Sequence, residues 1–425
     1  MTDLMTRLQA ANPVSEGDRP PIGDVWRKVA APENGREARR ARRPWTAGMA
    51  PRAGRAGRAV VALAVVSVPV ILVGAIALTM FGADHRPFAP VAPASGGAPA
   101  HSTLDPRAQH VAVAQLAGRI GTVVALDPRT GAIRAFVSSG LGVDRTGAPQ
   151  GSLFQFTPGA TFEIVTAAAA LDSGRYTPRS QLPGPAALRV SGVTVDNASG
   201  TAYGRVPLSE GLRYSVDTVF ARVGADLGPA TMTKYMRRFG FYASPRIDDG
   251  RAALPPSGVV LSGRAVTPLQ PGVPLGALAV GRAGLIATPL QMAMVASAVA
   301  GGGTLMTPHL DRRTPSVQSR VMTPATARAL TAMLRGVLTS GTGTPADLRG
   351  GRIAGKTATV PLSTRRDGVT DVWFVGFAPA DHPTVAVAVA LEFKHGGFGG
   401  TSAAPIAARV IASLLASGGH AGIGG

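Results

Sequence analysis

The stretch Phe156-Thr157-Pro158-Gly159-Ala160-Thr161-Phe162-Glu163-Ile164-Val165-Thr166-Ala167-Ala168-Ala169-Ala170-Leu171 decides how the rest of the chain is read. Pro158 and Gly159 punctuate a loop. The apolar run behind them is suited to a buried helix, because alanine has the highest helix propensity and no side-chain entropy to lose. Positions 160 and 163 then fall one turn apart on one face, at the start of that helix. Two side chains so placed can act on the same atom. Here they are a methyl group, which attacks nothing, and a carboxyl.

Two later stretches have the same character of a motif with altered members. Ser215-Val216-Asp217 lies within Tyr-Ser-Val-Asp-Thr-Val-Phe, and Lys356-Thr357-Ala358-Thr359 follows Ala354-Gly355. Lys356 stands out because the chain has only four lysines. In order and spacing the three stretches resemble the Ser-x-x-Lys, Ser-x-Asn and Lys-Thr-Gly motifs of the penicillin-binding-protein and serine β-lactamase superfamily. Further likeness in Thr288 to Leu310, Gly341 to Thr359 and Val372 to Pro379, and in the turn Asp127-Pro128-Arg129-Thr130-Gly131, extends the resemblance over residues 110–417. It is that of a degenerate, monofunctional class B penicillin-binding protein of actinobacterial type.

In that family the serine of the first motif is acylated and its lysine helps to deprotonate it. The serine of the second motif relays protons, and the Lys-Thr-Gly strand binds the substrate carboxylate and lines the oxyanion hole. Carried over, the nucleophile position is Ala160, the base position Glu163, the relay serine Ser215, the asparagine position Asp217 and the strand residues Lys356 and Thr357. The resemblance therefore implies a catalytic site without its reactive groups. Thr161 is no substitute nucleophile, since its side chain points about 100° around the helix from residue 160. Glu163 and Asp217 could be read as a carboxylate pair for glycoside cleavage. The simpler reading is that both neutralise Lys356, with Glu163 in direct contact with it. What survives as candidate ligand-binding groups is Ser215, Lys356, Thr357 and Thr359, with Ala358 crowding the place where the family has glycine.

Composition narrows the class. The chain has 425 residues, no cysteine and a net charge of +19. Without cysteine there are no disulfides, thiolate metal sites or thiol nucleophiles. The seven histidines form no cluster at ligand spacing; His101, His110, His309 and His395 read as surface residues, and no metal or cofactor is expected. The basic residues form no stripe interleaved with aromatics, which argues against nucleic acid and for attraction to an anionic membrane or cell-wall polymer.

Residues 1–58 are polar and rich in arginine, proline and glycine, with too little apolar material for a core. Arg36, Arg39, Arg40, Arg42, Arg43, Arg52, Arg55 and Arg58 precede an uncharged run from Ala59 to Gly82. That run is long enough to cross a bilayer as one helix, with the N-terminus cytoplasmic and the C-terminal domain extracellular. Residues 83–109 read as a Pro/Ala/Gly-rich linker. It leaves no room for a glycosyltransferase or pedestal domain.

Gly121–Asp127 and Ala132–Ser138 read as strands of a hairpin. Helical character follows over 208–240, 282–300 and Thr323–Leu338, then strands over Gly351–Val360, Asp371–Pro379 and Thr384–Glu392. A closing helix from Ala404 to Ala416 precedes a disordered tail, 418–425. The order implies an α+β domain with one antiparallel sheet and a helical subdomain. The whole reads as a membrane-anchored transpeptidase-like protein of peptidoglycan synthesis that has lost catalysis. By family analogy its partners are cell-wall synthesis or division membrane proteins. The alternatives are an active D,D-transpeptidase or carboxypeptidase with an unorthodox site, and a sensor binding β-lactam or muropeptide stem peptide without reacting.

Overall fold

The computed structural model describes residues 102–139, 155–248, 252–311, 314–346, 352–362, 369–393 and 396–418. The expected tail 1–58, membrane helix 59–82, linker as far as residue 101 and chain end from residue 419 lie outside these residues. The chain divides into two units, Met1–Arg86 and Pro87–Gly425, and every described residue belongs to the second.

That unit starts earlier than residue 110. Asp105 caps helix α1 (Pro106–Leu116) by accepting the Ala108 N–H, with Pro106 at the first helical position, where the missing N–H costs nothing. The hairpin follows as β1 (Ile120–Leu126) and β2 (Ile133–Ser139). In its turn the Asp127 carbonyl accepts from Thr130 and Gly131, and Gly131 has φ 82°. The turn residues of the sequence act there as their types predict.

After α2 (Glu163–Asp172), the expected helix 208–240 is α3 (Leu208–Tyr214) and α4 (Asp217–Arg238), broken at Ser215 and Val216, and α4 is itself kinked at Gly228 (φ 77°), before Pro229. Helix α5 covers only Pro289–Ala300, because Thr288 caps it and Leu285–Ile286 before it is strand. Helix α6 (Pro324–Ser340) starts in the same way behind Thr323, each threonine hydroxyl accepting an N–H three residues on.

Three strands close the domain: β3 (Ala354–Pro361), β4 (Thr370–Ala378) and β5 (Val385–Phe393), followed by helix α7 (Gly399–Gly418). The sheet order is β3-β4-β5-β1-β2, antiparallel throughout. The two halves of the sheet, far apart in sequence, join where β1 pairs with β5. All nine residues of β4 are buried, so both sheet faces are covered. Helix α5 lies against β1, β4 and β5, and α7 against β3, β4 and β5. Among the described residues α7 alone has the length and apolarity of a membrane span, over Gly399–Ser417. Its packing against the sheet explains that apolarity.

Candidate functional site

The first motif is held from three sides. The Trp373 indole donates to the Thr157 carbonyl at 2.9 Å, and Asp371 accepts the Thr157 N–H at 3.0 Å. Phe156 stands edge-on to Trp373 with ring centroids 5.6 Å apart. Gly159 N–H then donates to the Gly281 carbonyl at 3.1 Å. A Cβ on Gly281 would lie 2.0 Å from the Gly159 carbonyl oxygen, so the two backbones meet where only glycine fits. Residues Gly159–Phe162 form a 3₁₀ turn leading into α2, with Glu163 N–H donating back to the Ala160 carbonyl. In a 3₁₀ turn residues i and i+3 eclipse, which stacks position 163 beneath position 160. Ala160 stays half-buried at the mouth while Glu163 is fully buried below it.

The second motif sits at the break between α3 and α4. Ser215 adopts a left-handed conformation (φ 56°, ψ 56°), a costly one for a non-glycine residue, and Asp217 opens α4. The third motif is on β3, the sheet edge nearest the first. Lys356 lies opposite Val375 in the ladder, and its side chain is fully buried.

The motifs converge. The Lys356 ammonium donates to Ser215 Oγ at 2.8 Å and to the Thr357 carbonyl at 3.2 Å, and Lys356 Nζ lies 3.3 Å from Glu163 Oε2. The last is a charge contact rather than a hydrogen bond, and both side chains are 0% exposed. This is the direct contact expected from the sequence. Asp217, expected to neutralise Lys356, makes its ion pair with another cation. Its Oδ2 accepts from the Arg282 guanidinium at 2.5 Å. Thr357 Oγ1 instead pairs with Thr342 Oγ1 at 2.7 Å, and Thr359 Oγ1 accepts the Gly399 N–H at 3.0 Å.

The site thus places Lys356, Glu163, Asp217 and Arg282 in one cluster. Burial pushes the Glu163 carboxyl up to about 8; Lys356 pulls it down and is outweighed, with the Asp217 charge adding to the rise. Asp217 is raised too, first by burial, against the lowering pull of Arg282 and then Lys356.

Several expectations change. Lys356 was a candidate for holding a ligand, but its ammonium is sealed from solvent and engaged by Ser215, Thr357 and Glu163. Glu163 cannot serve as half of a glycoside-cleaving pair, because no substrate reaches a side chain with no exposure. Thr161 is fully buried and donates its hydroxyl to the Pro158 carbonyl at 2.7 Å. Ala358 is buried, and with Val360 it packs against Gly159, where a side chain would meet Val360 Cγ2 at 2.2 Å. His309 is 3% exposed rather than on the surface, held by backbone pairing to Ala132 and Ile133; His110 is exposed. Arg282 was missed altogether. It lies in none of the three motifs, and its one local signal is a charged residue inside the tight turn Gly281-Arg282-Ala283-Gly284, where three neighbours have positive φ. Among the described residues no group of acidic or histidine side chains could hold a metal. A cavity of about 510 Å³ opens elsewhere, lined by Pro128, Arg129, Met306 and His382 among others, and no motif residue borders it.

The penicillin-binding-protein transpeptidase domain matches residues 121–412. The peptidoglycan D,D-transpeptidase PbpA of Mycolicibacterium smegmatis is 30% identical over 349 residues, 70% of this chain and 67% of that protein. Stage V sporulation protein D of Bacillus subtilis is 30% identical over 280 residues, 61% of this chain and 42% of that protein. The chain thus spans from under half to about two thirds of the length of these two relatives. Among solved structures, penicillin-binding protein A from M. tuberculosis as its penicillin G acyl-enzyme aligns with a TM-score of 0.65 and 28% identity, over 74% of this chain and 80% of that one. The D,D-transpeptidase domain from Eggerthella lenta aligns with 0.64 and 28%, over 74% and 82%. With its three motif positions gathered in one cleft and the domain match spanning most of its length, the chain belongs to the penicillin-binding-protein transpeptidase family.

Proposed function

We propose that this transpeptidase-domain protein of peptidoglycan synthesis no longer transfers acyl groups and acts as a partner, scaffold or regulator of the membrane-bound synthetic machinery. The observation that carries this reading is Ala160 at the nucleophile position, directly above a fully buried Glu163. Loss of the nucleophile from a serine hydrolase lowers turnover on the order of 10⁶-fold. The buried Thr161 hydroxyl, committed to a carbonyl, speaks against a substitute. Anchoring by residues 59–82 with the domain outside the cytoplasm is part of the proposal. It rests on the uncharged run and the arginines before it.

M. tuberculosis penicillin-binding protein A is acylated by penicillin G. The test here is the same chemistry on the full chain in detergent, with a fluorescent penicillin and intact-mass detection. No adduct is expected. Ala160→Ser should also stay unlabelled, because its hydroxyl would face Glu163 rather than an amine. Ala160→Ser with Glu163→Lys should acylate slowly, since Asp217 and Ala358 remain. An adduct on the parent chain that survives denaturation would overturn the reading.

A further inference from the structure

Away from the cleft, cations gather where α4 ends. Lys234 and Arg238 are one turn apart on α4, with Lys234 Nζ 5.9 Å and Arg238 Cζ 5.2 Å from the centre of the Tyr235 ring. Arg237 stands between them in the chain, exposed like Lys234. The short strand Val317–Arg320 joins this end: Ser319 Oγ donates to the Arg238 carbonyl, and Arg238 Nη1 donates to the Val321 carbonyl at 3.3 Å. Arg320, between Ser319 and Val321, is the fourth cation of the group and is also exposed. Of the four only Arg238 has an ion pair, 3.7 Å from an Asp172 carboxylate that Tyr235, Thr323 and Thr326 already hold. Among the described residues Lys234, Arg237 and Arg320 have no acidic partner. Complementing the helix dipole accounts for Arg237 and Arg238 in the last turn of α4, and not for Arg320 on another element. The same short strand carries Val317, a large apolar side chain that is 62% exposed. Val317 lies opposite Met306, and five residues beyond Met306 in the chain, at most about 18 Å, Asp311 pairs with Ser102, where the chain enters the domain.

We propose that this face, the end of α4 with the strand Val317–Arg320, docks on an anionic lipid surface, its cations against the phosphate headgroups and Val317 entering the interface. The inference goes beyond the anchoring by residues 59–82 proposed above and rests on it, because that anchor is what keeps the domain beside a bilayer: residues 83–101 can span at most about 65 Å. A lipid surface fits better than a soluble anionic polymer. An exposed valine among cations gains nothing from a polymer, whereas a membrane withdraws it from water. Each cation close to an anionic surface raises the docking equilibrium about fivefold, so three without acidic partners raise it on the order of 10²-fold. Association is then within one tethered chain, where such a gain is enough to favour the docked state.

The chain has no cysteine, so Val317→Cys and Leu269→Cys can each carry a single fluorescent label on the full chain reconstituted in lipid nanodiscs. Leu269, 58% exposed, is the reference for a comparably exposed apolar position. In discs of phosphatidylglycerol and phosphatidylcholine in equal parts, a quencher-bearing lipid should quench the Val317 label at least about twofold more than the Leu269 label. In phosphatidylcholine alone the two labels should be alike. Salt at about 1 M, where the screening length falls to about 3 Å, should remove most of the difference. Each of Lys234→Gln, Arg237→Gln and Arg320→Gln should lower the docking equilibrium about fivefold, and the triple variant should bring the Val317 label to the Leu269 level. The lipid and salt arms stand even if a variant folds poorly. Equal quenching in the anionic discs, a difference that persists in phosphatidylcholine, or a folded triple variant that docks like the parent would each overturn the assignment. So would binding of soluble polyphosphate, lost in the triple variant, while the Val317 label stays unquenched: the face would then take a polymer. A chain that fails to enter the discs overturns the anchor reading and this inference with it, whereas a chain that enters without preferential quenching at Val317 overturns this one alone.

Discussion

Two pairs of opposite charge occupy this cleft, and they differ in what surrounds them. Glu163 and Lys356 meet at 3.3 Å with neither side chain exposed, while Asp217 and Arg282 meet at 2.5 Å with Arg282 44% exposed. The inner pair has lost all contact with water. Its partners must satisfy one another, and burial pushes the carboxyl toward its neutral form against the pull of the ammonium. The outer pair keeps a solvated edge. The inner pair is sealed in the core, and the outer one is open to solvent on the Arg282 side. The carboxyl that stands at the family's first-motif lysine position meets the third motif's lysine directly.

Breaking the inner pair gives the largest expected effect. Glu163→Ala leaves a cavity and a buried ammonium with less compensation, so unfolding should become easier by about 3–5 kcal/mol. Replacing both residues, Glu163→Met with Lys356→Met, should recover much of that loss in thermal or denaturant unfolding. If the double variant is no more stable than the single one, the contact is not what compensates Lys356.

A smaller effect concerns pH. The Glu163 carboxyl sits at about 8 in the fold against an ordinary 4.5, so between those values the folded chain holds a proton that the unfolded chain has released. The stability tied to this group is fully present below about 4.5, declines as pH rises toward about 8, and is flat above. Glu163→Gln cannot ionise, and its melting temperature should fall less from pH 5 to pH 8 than that of the parent. Parallel curves would show that Glu163 is already ionised throughout the range.

The outer pair should matter least to stability. Arg282→Gln leaves Asp217 at the first turn of α4, where the helix dipole still favours its charge, and should cost about 1–2 kcal/mol. The surface pair Arg335–Asp381, whose carboxylate is 73% exposed, is a reference, and Arg335→Ala should stay within about 1 kcal/mol of the parent. A loss from Arg282→Gln as large as that from Glu163→Ala would erase the distinction between the two pairs.

Much of the scaffold was legible because its signals are local. The Asp-Pro-x-Thr-Gly turn, the Thr-Pro helix starts at 288 and 323, and the alternating run into β5 each carry their own punctuation. The misreadings have separate causes. Helix α1 has its own Asp-Pro start at 105 and 106, which the reading of 83–109 as a linker passed over, and it packs on β2 and α7. The break at Ser215 is a serine in a glycine-like conformation, stabilised by the corner it forms rather than by its type.

The sequence by itself determined which groups are missing: a methyl at 160 has no hydroxyl in any fold, and a carboxyl at 163 is no amine. It also placed Glu163 in reach of Lys356, because the order of the three motifs matches a fold that brings them together. Only the tertiary structure decided how deep each charge lies, and hence which of them is still a charge that a ligand can meet. Burial is a property of everything packed around a residue, from β3, α2 and α4 at once, and no window of sequence contains it. Arg282 shows the same limit. Its partner Asp217 is 65 residues away, and the two are neighbours because residues 275–279 pack on α4.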